Sequence, residues 1–248
     1  MLESLKRLFS GPGPGRDFAD VAEWAKRRGH TFKRARDESG FVIDGVLENK
    51  PWRLEWGPPQ RTYIASRELR LRMELDLPSD MQMLLLALPL MDQLEKQTYE
   101  QFVESTQTQI GTTTPEEMRW LVMFPKVDLT ALKNIKLHFG AVASLPATGL
   151  GWIEGPLAHA LEQALPTLLK GDPPFVLMTL RNRAYLRVQL ADPDPQSIAT
   201  ALAVFETAVG QAVKAASNHT DSNSEWHGTA TSAWQSLRPD DPAERKRR

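Results

Sequence analysis

The sequence predicts an α+β protein in which one or two antiparallel sheets have one face covered by long helices. Three observations support this prediction. Apolar and charged residues alternate without a break over 68–77, which is the period of a strand with one buried and one solvated face. Short turn-forming segments at 48–50 and 181–183 separate β-rich runs, as in hairpins. Long apolar segments at 80–104 and 196–216 predict the covering helices.

A first α+β unit is predicted over residues 16–126. It begins with a helix at 17–28, which Gly29 can end because glycine readily adopts the left-handed conformation. The predicted strands that follow lie at 31–36, 41–47, 51–56 and within 63–77. The apolar run 81–91 is assigned to the buried helix at 80–104, since it is far shorter than the roughly 20 residues that cross a bilayer.

A second unit is predicted over residues 127–216. Its elements in order are a strand at 135–143, a loop at 144–151, a helix at 153–170 with a kink or early stop at Pro166, strands at 175–180 and 184–190, and a helix at 196–216. Both units follow the order helix, antiparallel strands, helix, which raises the hypothesis of an internal duplication. The alternative is that any strand–proline–helix junction produces this resemblance.

Two segments outside these units have compositions of their own. Residues 1–15 combine an amphipathic stretch with a Gly/Pro linker, so residues 1–10 are expected to contact a membrane surface, their own domain or a second copy. Residues 217–248 are poor in aliphatic side chains and predict a disordered polar tail. No transmembrane segment is predicted.

Composition limits the chemistry available to the chain. It has 30 Lys+Arg against 31 Asp+Glu and no cysteine. The missing thiols exclude cysteine catalysis, Cys-ligated zinc and iron–sulfur centres. A net charge of −1 provides no global attraction for nucleic acid. We expect a cytoplasmic location, because the chain lacks cysteine and its first residues lack the apolar core of a signal peptide.

Known catalytic and cofactor motifs are missing from the sequence. Neither a GxxxxGK[ST] loop, an HExxH pair nor a GxSxG turn occurs. His138 alternates with apolar residues and is expected to be a structural histidine. Glu116 and Glu117 follow Thr114-Pro115 and are explained by the N-terminus of a helix. The sequence therefore predicts no catalytic residue, no metal and no cofactor.

Six residues of the first unit are predicted to form a ligand-binding surface: Arg53, Glu55, Arg61, Tyr63, Arg70 and Arg72. The period of a strand places Arg70 and Arg72 on one face. Guanidinium groups bind carboxylate and phosphate through paired hydrogen bonds, so an anion or an acidic partner is one interpretation. The alternative is a solvated sheet face whose arginines pair with nearby glutamates. Trp52 and Trp56 are expected in the core, with an aromatic interface as the alternative.

We therefore expect a non-catalytic adaptor, chaperone-like or regulatory binding protein that uses a sheet face or a cleft between the two units. Its partner is expected to be another protein or a second copy of the chain. One alternative is a hydrolase-type enzyme with a site assembled from dispersed residues, for which Glu55, Arg61, Tyr63 and His138 are the candidates. Others are weak binding of nucleic acid through the basic segment 26–36 or of a membrane surface.

Overall fold

The computed structural model describes residues 18–36, 39–104 and 115–227, with the side chains of 101–104 and 219–227 left out. Predictions for residues 1–17, 105–114 and 228–248 lie outside the described residues. The helices are α1 (Ala19–Arg27), α2 (Leu88–Glu104), α3 (Glu116–Met123), α4 (Ile135–His138), α5 (Pro146–Ile153), α6 (Pro156–Ala164) and α7 (Pro195–His227). The strands are β1 (Thr31–Arg34), β2 (Phe41–Leu47), β3 (Lys50–Gly57), β4 (Glu68–Glu74), β5 (Met83–Ala87), β6 (Phe139–Ala143), β7 (Phe175–Leu180) and β8 (Arg183–Gln189).

All eight strands belong to one antiparallel sheet with the order β1-β2-β3-β4-β8-β7-β5-β6. The predicted α+β class is confirmed. Strands from both predicted units join this sheet, and β5 of the first unit lies between β7 and β6 of the second. The boundary near residue 126 stays a prediction, and the structure does not show a duplication.

Two tight turns set the register of the central strands. Glu48 and Asn49 between β2 and β3 have φ of 49° and 65°, and Arg181 and Asn182 between β7 and β8 have φ of 49° and 61°. Positive φ at both central residues matches the twist of a two-residue hairpin. Both predicted hairpins are confirmed. Gly29, with φ of 75°, also ends α1 as predicted.

One face of the sheet is apolar across its whole width. A continuous row of aliphatic side chains, each at most 1% exposed, crosses six strands: Ile43, Leu54, Leu71, Leu186, Leu177 and Leu85. Helices α1, α5, α6 and α7 cover this face; Phe18 beside α1 packs edge-on against Trp56, and the Trp152 indole on α5 donates to Ala208 O on α7. Trp52 and Trp56 are buried here, so the aromatic-interface alternative is wrong.

The opposite face is covered over only part of its width. Helices α2 and α3 lie against the β7-β5-β6 part, where Val176, Leu84 and Val142 are at most 1% exposed. Gly140 allows Met91 of α2 to approach closely, because a Cβ at Gly140 would lie 2.1 Å from the Met91 sulfur. No helix covers the β2-β3-β4-β8 part among the described residues, although the 58–64 segment lies over its end at Glu68. The side chains on this face are mostly charged.

The predicted helix at 80–104 is wrong in its first part, because Met83–Ala87 forms strand β5 and the helix begins only at Leu88. Every residue of β5 is buried, since helices cover both faces of the sheet there. Such a strand shows no alternation, and a short apolar run cannot be distinguished from a buried helix by periodicity.

Three predictions in the second unit also need correction. The predicted strand at 135–143 begins as the short helix α4 and becomes strand β6 at Phe139. The predicted loop at 144–151 is mostly helix α5, in which Gly149 packs so closely that a Cβ would lie 2.7 Å from the Ala143 Cβ. The predicted helix at 153–170 is shorter, because α6 ends at Ala164; the early stop before Pro166 is confirmed.

Helix α7 continues to His227, beyond the predicted end at 216. Among the described residues it is the one helix long and apolar enough to cross a bilayer, over Pro195–Asn218, and 44% of that window is buried in the fold. Its partners α5 and α6 supply much of that burial. The core helix of a globular domain has the same properties, so this composition is weak evidence for a membrane span.

Candidate functional site

The uncovered part of the sheet forms a charged surface, which we call the charged face. Its residues come from β1, β2, β3, β4 and β8: Lys33, Asp44, Arg53, Glu55, Glu68, Arg70, Arg72, Glu74, Arg183, Tyr185 and Arg187. Alternate residues of a strand point to the same side, and the register brings those of neighbouring strands together. Six basic side chains stand against four carboxylates, so the charged face has a local excess of positive charge.

Glu68 is the buried centre of the charged face. Its side chain is fully buried; Oε1 accepts from Arg187 Nη1 at 2.6 Å, and Oε2 accepts from Arg70 Nη1 at 3.2 Å and from the Gln60 amide at 2.6 Å. Arg70 and Arg187 lie directly opposite each other in β4 and β8. Glu68 therefore bridges two like charges that would otherwise repel each other.

These contacts agree with the interpretation in which the arginines pair with nearby glutamates, but Arg70 is less solvated than that interpretation expects. The Arg70 side chain is only 16% exposed, because Glu68 on one side and Glu55 Oε2 on the other, at 3.2 Å, hold it against the sheet. Arg72, by contrast, is 57% exposed. The two arginines do lie on one strand face, as the alternation predicts.

A second pair of arginines lies beside the first, formed by Arg53 of β3 and Arg72 of β4, which are opposite each other in the register. Arg53 donates from Nε to Asp44 Oδ1 at 2.7 Å and from Nη2 to Asp44 Oδ2 at 3.4 Å. These hydrogen bonds, and a weaker one from Lys33, hold the pKa of Asp44 below its usual value despite partial burial. Arg72 approaches only Glu55 Oε1, at 3.9 Å, among the carboxylates that the structure describes.

Two depressions meet at the Arg53–Arg72 pair, and both residues line both of them. The smaller has a volume of about 100 Å³ and reaches towards Arg70, Tyr185 and Arg187. The larger has a volume of about 510 Å³ and extends along the sheet to Asp44, Trp52, Met73, Glu74 and Arg183. The pair is therefore accessible from both depressions.

The border of the charged face is a buried cluster of Arg61, Tyr63 and Glu117, and it connects the 58–64 segment to α3. Glu117 Oε1 accepts from Arg61 Nε and from the Tyr63 hydroxyl, both at 2.6 Å. Burial opposes ionisation of Glu117, but these two donors and the Arg61 charge outweigh it, so the pKa of Glu117 is lowered. Burial and the nearby Glu117 carboxylate raise the pKa of Tyr63, so its hydroxyl stays protonated.

The structure brings the six predicted residues to one side of the molecule. Arg53, Glu55, Arg70 and Arg72 belong to the charged face. Arg61 and Tyr63 belong to the border cluster. Burial alone would lower the pKa of Arg61, but the hydrogen bond and charge of Glu117 outweigh burial and raise it, with a smaller contribution from Glu68. Glu68 is one of the nearby glutamates with which the arginines were expected to pair, and the alternation places it on the same face as Arg70. Sequence reasoning missed Glu117 and Tyr185. No spacing signal connects Glu117 to Arg61 over 56 positions.

His138 lies elsewhere, at the end of α4 beside the edge strand β6. Its Nδ1 is 2.7 Å from Asp172 Oδ1. Within the described part of the chain, no hydrogen bond or ion pair connects it to Glu55, Arg61 or Tyr63, and no group of three or more metal-ligating side chains is present there. Its placement in a strand is wrong, because residues 135–138 complete a helical turn before β6 begins.

Another pocket, of about 760 Å³, lies between α5, α6 and α7, away from the charged face. Its lining is mostly small or polar and includes Gly151, Glu154, Gly155 and Lys214. The glycines belong to the end of α5 and to the break before α6, where Gly155 has φ of 73°.

Comparison with known proteins adds a structural likeness. No protein-family model matches the chain, and no curated protein does. Among solved structures, the chain is similar to the crystal structure of the mycobacterial trehalose monomycolate transport factor A. The TM-score is 0.44 and the identity 6%, over 77% of this chain and 92% of that one.

Proposed function

We propose that this protein is a non-catalytic binding protein whose charged face takes an acidic segment of another protein. One observation carries the proposal: the sheet is covered on its second face over β7-β5-β6 and open over β2-β3-β4-β8, where most of its ionisable side chains lie. A sheet face left open by its own helices is available to a partner.

Charge complementarity selects the kind of partner. The charged face has six basic side chains against four carboxylates, whereas the chain as a whole has a net charge of −1. The excess is located at Arg72, which is the most exposed guanidinium of the central strands and whose one ion pair with a described carboxylate, to Glu55 Oε1, is long at 3.9 Å. An acidic segment would neutralise this excess and would be guided to the surface by it.

The shape of the surface favours a polypeptide over a small molecule. The depression of about 100 Å³ is smaller than the roughly 300–1,000 Å³ of typical small-molecule sites. The adjoining depression of about 510 Å³ falls within that range, but five of its eight lining residues are charged, whereas small-molecule sites are lined mostly by apolar side chains. The enzyme alternative has less support, because His138 pairs with Asp172 and makes no contact with the other candidate residues that the structure describes.

A cytoplasmic location is part of the proposal, supported by the complete lack of cysteine. A second copy of this chain is the competing occupant, and the experiment below separates the two.

The proposal is tested by adding peptides to the isotope-labelled full chain and recording backbone amide shifts by NMR. The probe is a twelve-residue peptide of alternating Glu and Ser, and its control replaces every Glu by Gln; both peptides have an amidated C-terminus. We expect the acidic peptide to shift amides of β3, β4 and β8 with an affinity that falls as salt rises, and the control to shift none. Equal shifts with the control, or shifts confined to the α5–α6–α7 pocket, would overturn the proposal. A dimer in sedimentation, together with amide shifts of β3, β4 and β8 that depend on protein concentration, would also overturn the proposal, since the occupant would then be a second copy.

A further inference from the structure

The charged face contains two pairs of opposed arginines, and a carboxylate of the described residues bridges only one of them. Arg70 and Arg187 face each other across β4 and β8, and Arg53 and Arg72 face each other across β3 and β4. Opposite side chains in an antiparallel pair have Cβ atoms about 5 Å apart, so each pair brings two positive charges together. Like charges in this position destabilise a sheet unless something neutralises them.

The first pair shows how this fold neutralises two opposed arginines. The Glu68 carboxylate lies between them and gives one oxygen to each guanidinium, Oε1 to Arg187 and Oε2 to Arg70. A carboxylate that bridges two guanidinium groups satisfies donors on both and cancels most of their repulsion.

The second pair has no equivalent bridge among the residues that the structure describes. Asp44 takes Nε and Nη2 of Arg53 from the outer side, towards β2, which leaves Nη1 of Arg53 without a bond. Glu55 lies towards Arg70 and is 3.9 Å from Arg72 Nη2. Both guanidiniums therefore have donors available to a ligand in the groove that they line.

We propose that the Arg53–Arg72 pair is a carboxylate-binding subsite, in which one carboxylate of the partner bridges the two guanidiniums as Glu68 bridges Arg70 and Arg187. This inference rests on the proposed function and adds the anchor of the acidic segment. The carboxylate belongs to an Asp or Glu side chain or to the C-terminus of the partner, since both present the same two oxygens.

The stability of the ligand-free protein tests whether the Arg53–Arg72 pair has a structural role. Replacing Arg72 by Gln removes a like-charge contact, so the urea midpoint is expected to stay unchanged or to rise. Replacing Arg187 by Gln is expected to lower the midpoint, because it leaves the buried Glu68 carboxylate with one guanidinium instead of two. A fall for Arg72→Gln as large as that for Arg187→Gln would give the pair a structural role and overturn the inference.

The binding test uses fluorescence polarisation with a labelled peptide that contains a single Glu among Ser and Ala residues, with an amidated C-terminus. The full-length variants are Arg53→Gln and Arg72→Gln, and the matched control is Arg27→Gln on α1, which removes the same charge from an exposed arginine on the other side of the sheet. We expect each test variant to weaken binding on the order of tenfold, which is about 1.4 kcal/mol, and the control to change it less than twofold.

Further peptide arms separate the sources of the carboxylate. A Gln peptide with a free C-terminus tests the terminal carboxylate, and the fully amidated Gln peptide should bind no better to the wild type than to Arg72→Gln. A peptide with phosphoserine in place of Glu is the third arm; binding of that peptide alone would overturn the carboxylate assignment.

Two failures can be distinguished. If the acidic peptide shifts β3, β4 and β8 by NMR but Arg53→Gln and Arg72→Gln bind it as the wild type does, the subsite is wrong and the proposed function stands. If no acidic peptide binds the charged face, both are wrong.

Discussion

Replacing Glu117 by Gln is expected to lower the free energy of unfolding by about 2–3 kcal/mol at pH 7. The Glu117 side chain is 1% exposed and accepts two hydrogen bonds of 2.6 Å, from Arg61 Nε and the Tyr63 hydroxyl. Breaking a buried ion pair costs about 3–5 kcal/mol when the remaining charge stays unpaired. The Arg61 side chain is 26% exposed and can turn towards water, which places the expected cost at or just below the lower limit of that range.

The measurement is urea denaturation followed by tryptophan fluorescence, with the slope of the transition compared between variants. The matched control is Glu116→Gln. Glu116 lies one position away on α3 and pairs with Arg181, whose side chain is 77% exposed, and with Arg119. Its loss is expected to cost less, on the order of 1 kcal/mol, because the Glu116 side chain is 22% exposed and keeps contact with water, whereas Glu117 is 1% exposed. If Glu117→Gln cost no more than Glu116→Gln, the assignment of the cluster as the anchor of α3 would be refuted.

The pH dependence of this difference has a definite sign. The pKa of Glu117 in the folded protein lies below its usual value of 4.5, so the folded state favours the carboxylate. Its contribution to stability is therefore complete above about pH 4.5 and is lost as pH falls through the folded pKa. The gap between wild type and Glu117→Gln should narrow as denaturation curves are taken from pH 7 towards pH 3.5, whereas a constant gap would mean that the carboxylate charge is not the cause.

Two further predictions concern the covered face. Gly45→Ala places a Cβ 2.2 Å from the buried Trp52 ring and should lower the free energy of unfolding by about 1–3 kcal/mol. Gly151→Ala meets no neighbour within 4 Å and should raise the free energy of unfolding by up to about 1 kcal/mol. Urea denaturation measures both variants, and equal effects would contradict the packing described at Gly45. Burial, and to a smaller extent the Arg28 charge, lower the pKa of His30 in the folded protein. As pH falls below 6.5, His30 is therefore protonated more readily in the unfolded chain than in the folded one, and the free energy of unfolding should decrease. In His30→Gln this part of the pH dependence should be missing from thermal melts, and its persistence would assign it to another group.

The sequence predicts the open half of the sheet well because that half follows simple rules. Strand β4 alternates, and its apolar members Leu69, Leu71 and Met73 are buried as expected. The hairpins at Asn49 and Asn182 are confirmed because those residues tolerate positive φ. Four of the six predicted ligand-binding residues share the charged face for the same reason: period two determines the side of each residue once the strand is known.

The covered half is harder to predict because tertiary packing decides it. Strand β5 is buried on both faces, so nothing in its own residues distinguishes it from the helix that follows. Its position between β6 and β7 depends on pairing with strands more than 50 residues away, which no local pattern encodes. The border cluster is missed in the same way, since Glu117 is a good residue for the first turn of a helix and also the buried partner of Arg61 and Tyr63.

The boundary between the open and the covered half of the sheet can nevertheless be predicted from the β7–β8 hairpin. Strand β8 alternates basic or aromatic residues with buried Ala184, Leu186 and Val188, as a strand with one wet face does. Strand β7, its hairpin partner, has no charged residue, and its first five positions are buried. Two paired strands with different patterns mean that the second face of the sheet changes from open to covered between them. The charged face must therefore lie on the β8 side, where Tyr185 and Arg187 are opposite Arg72 and Arg70. The proposed ligand would lie there beside the helical layer that Glu117 connects to Arg61 and Tyr63.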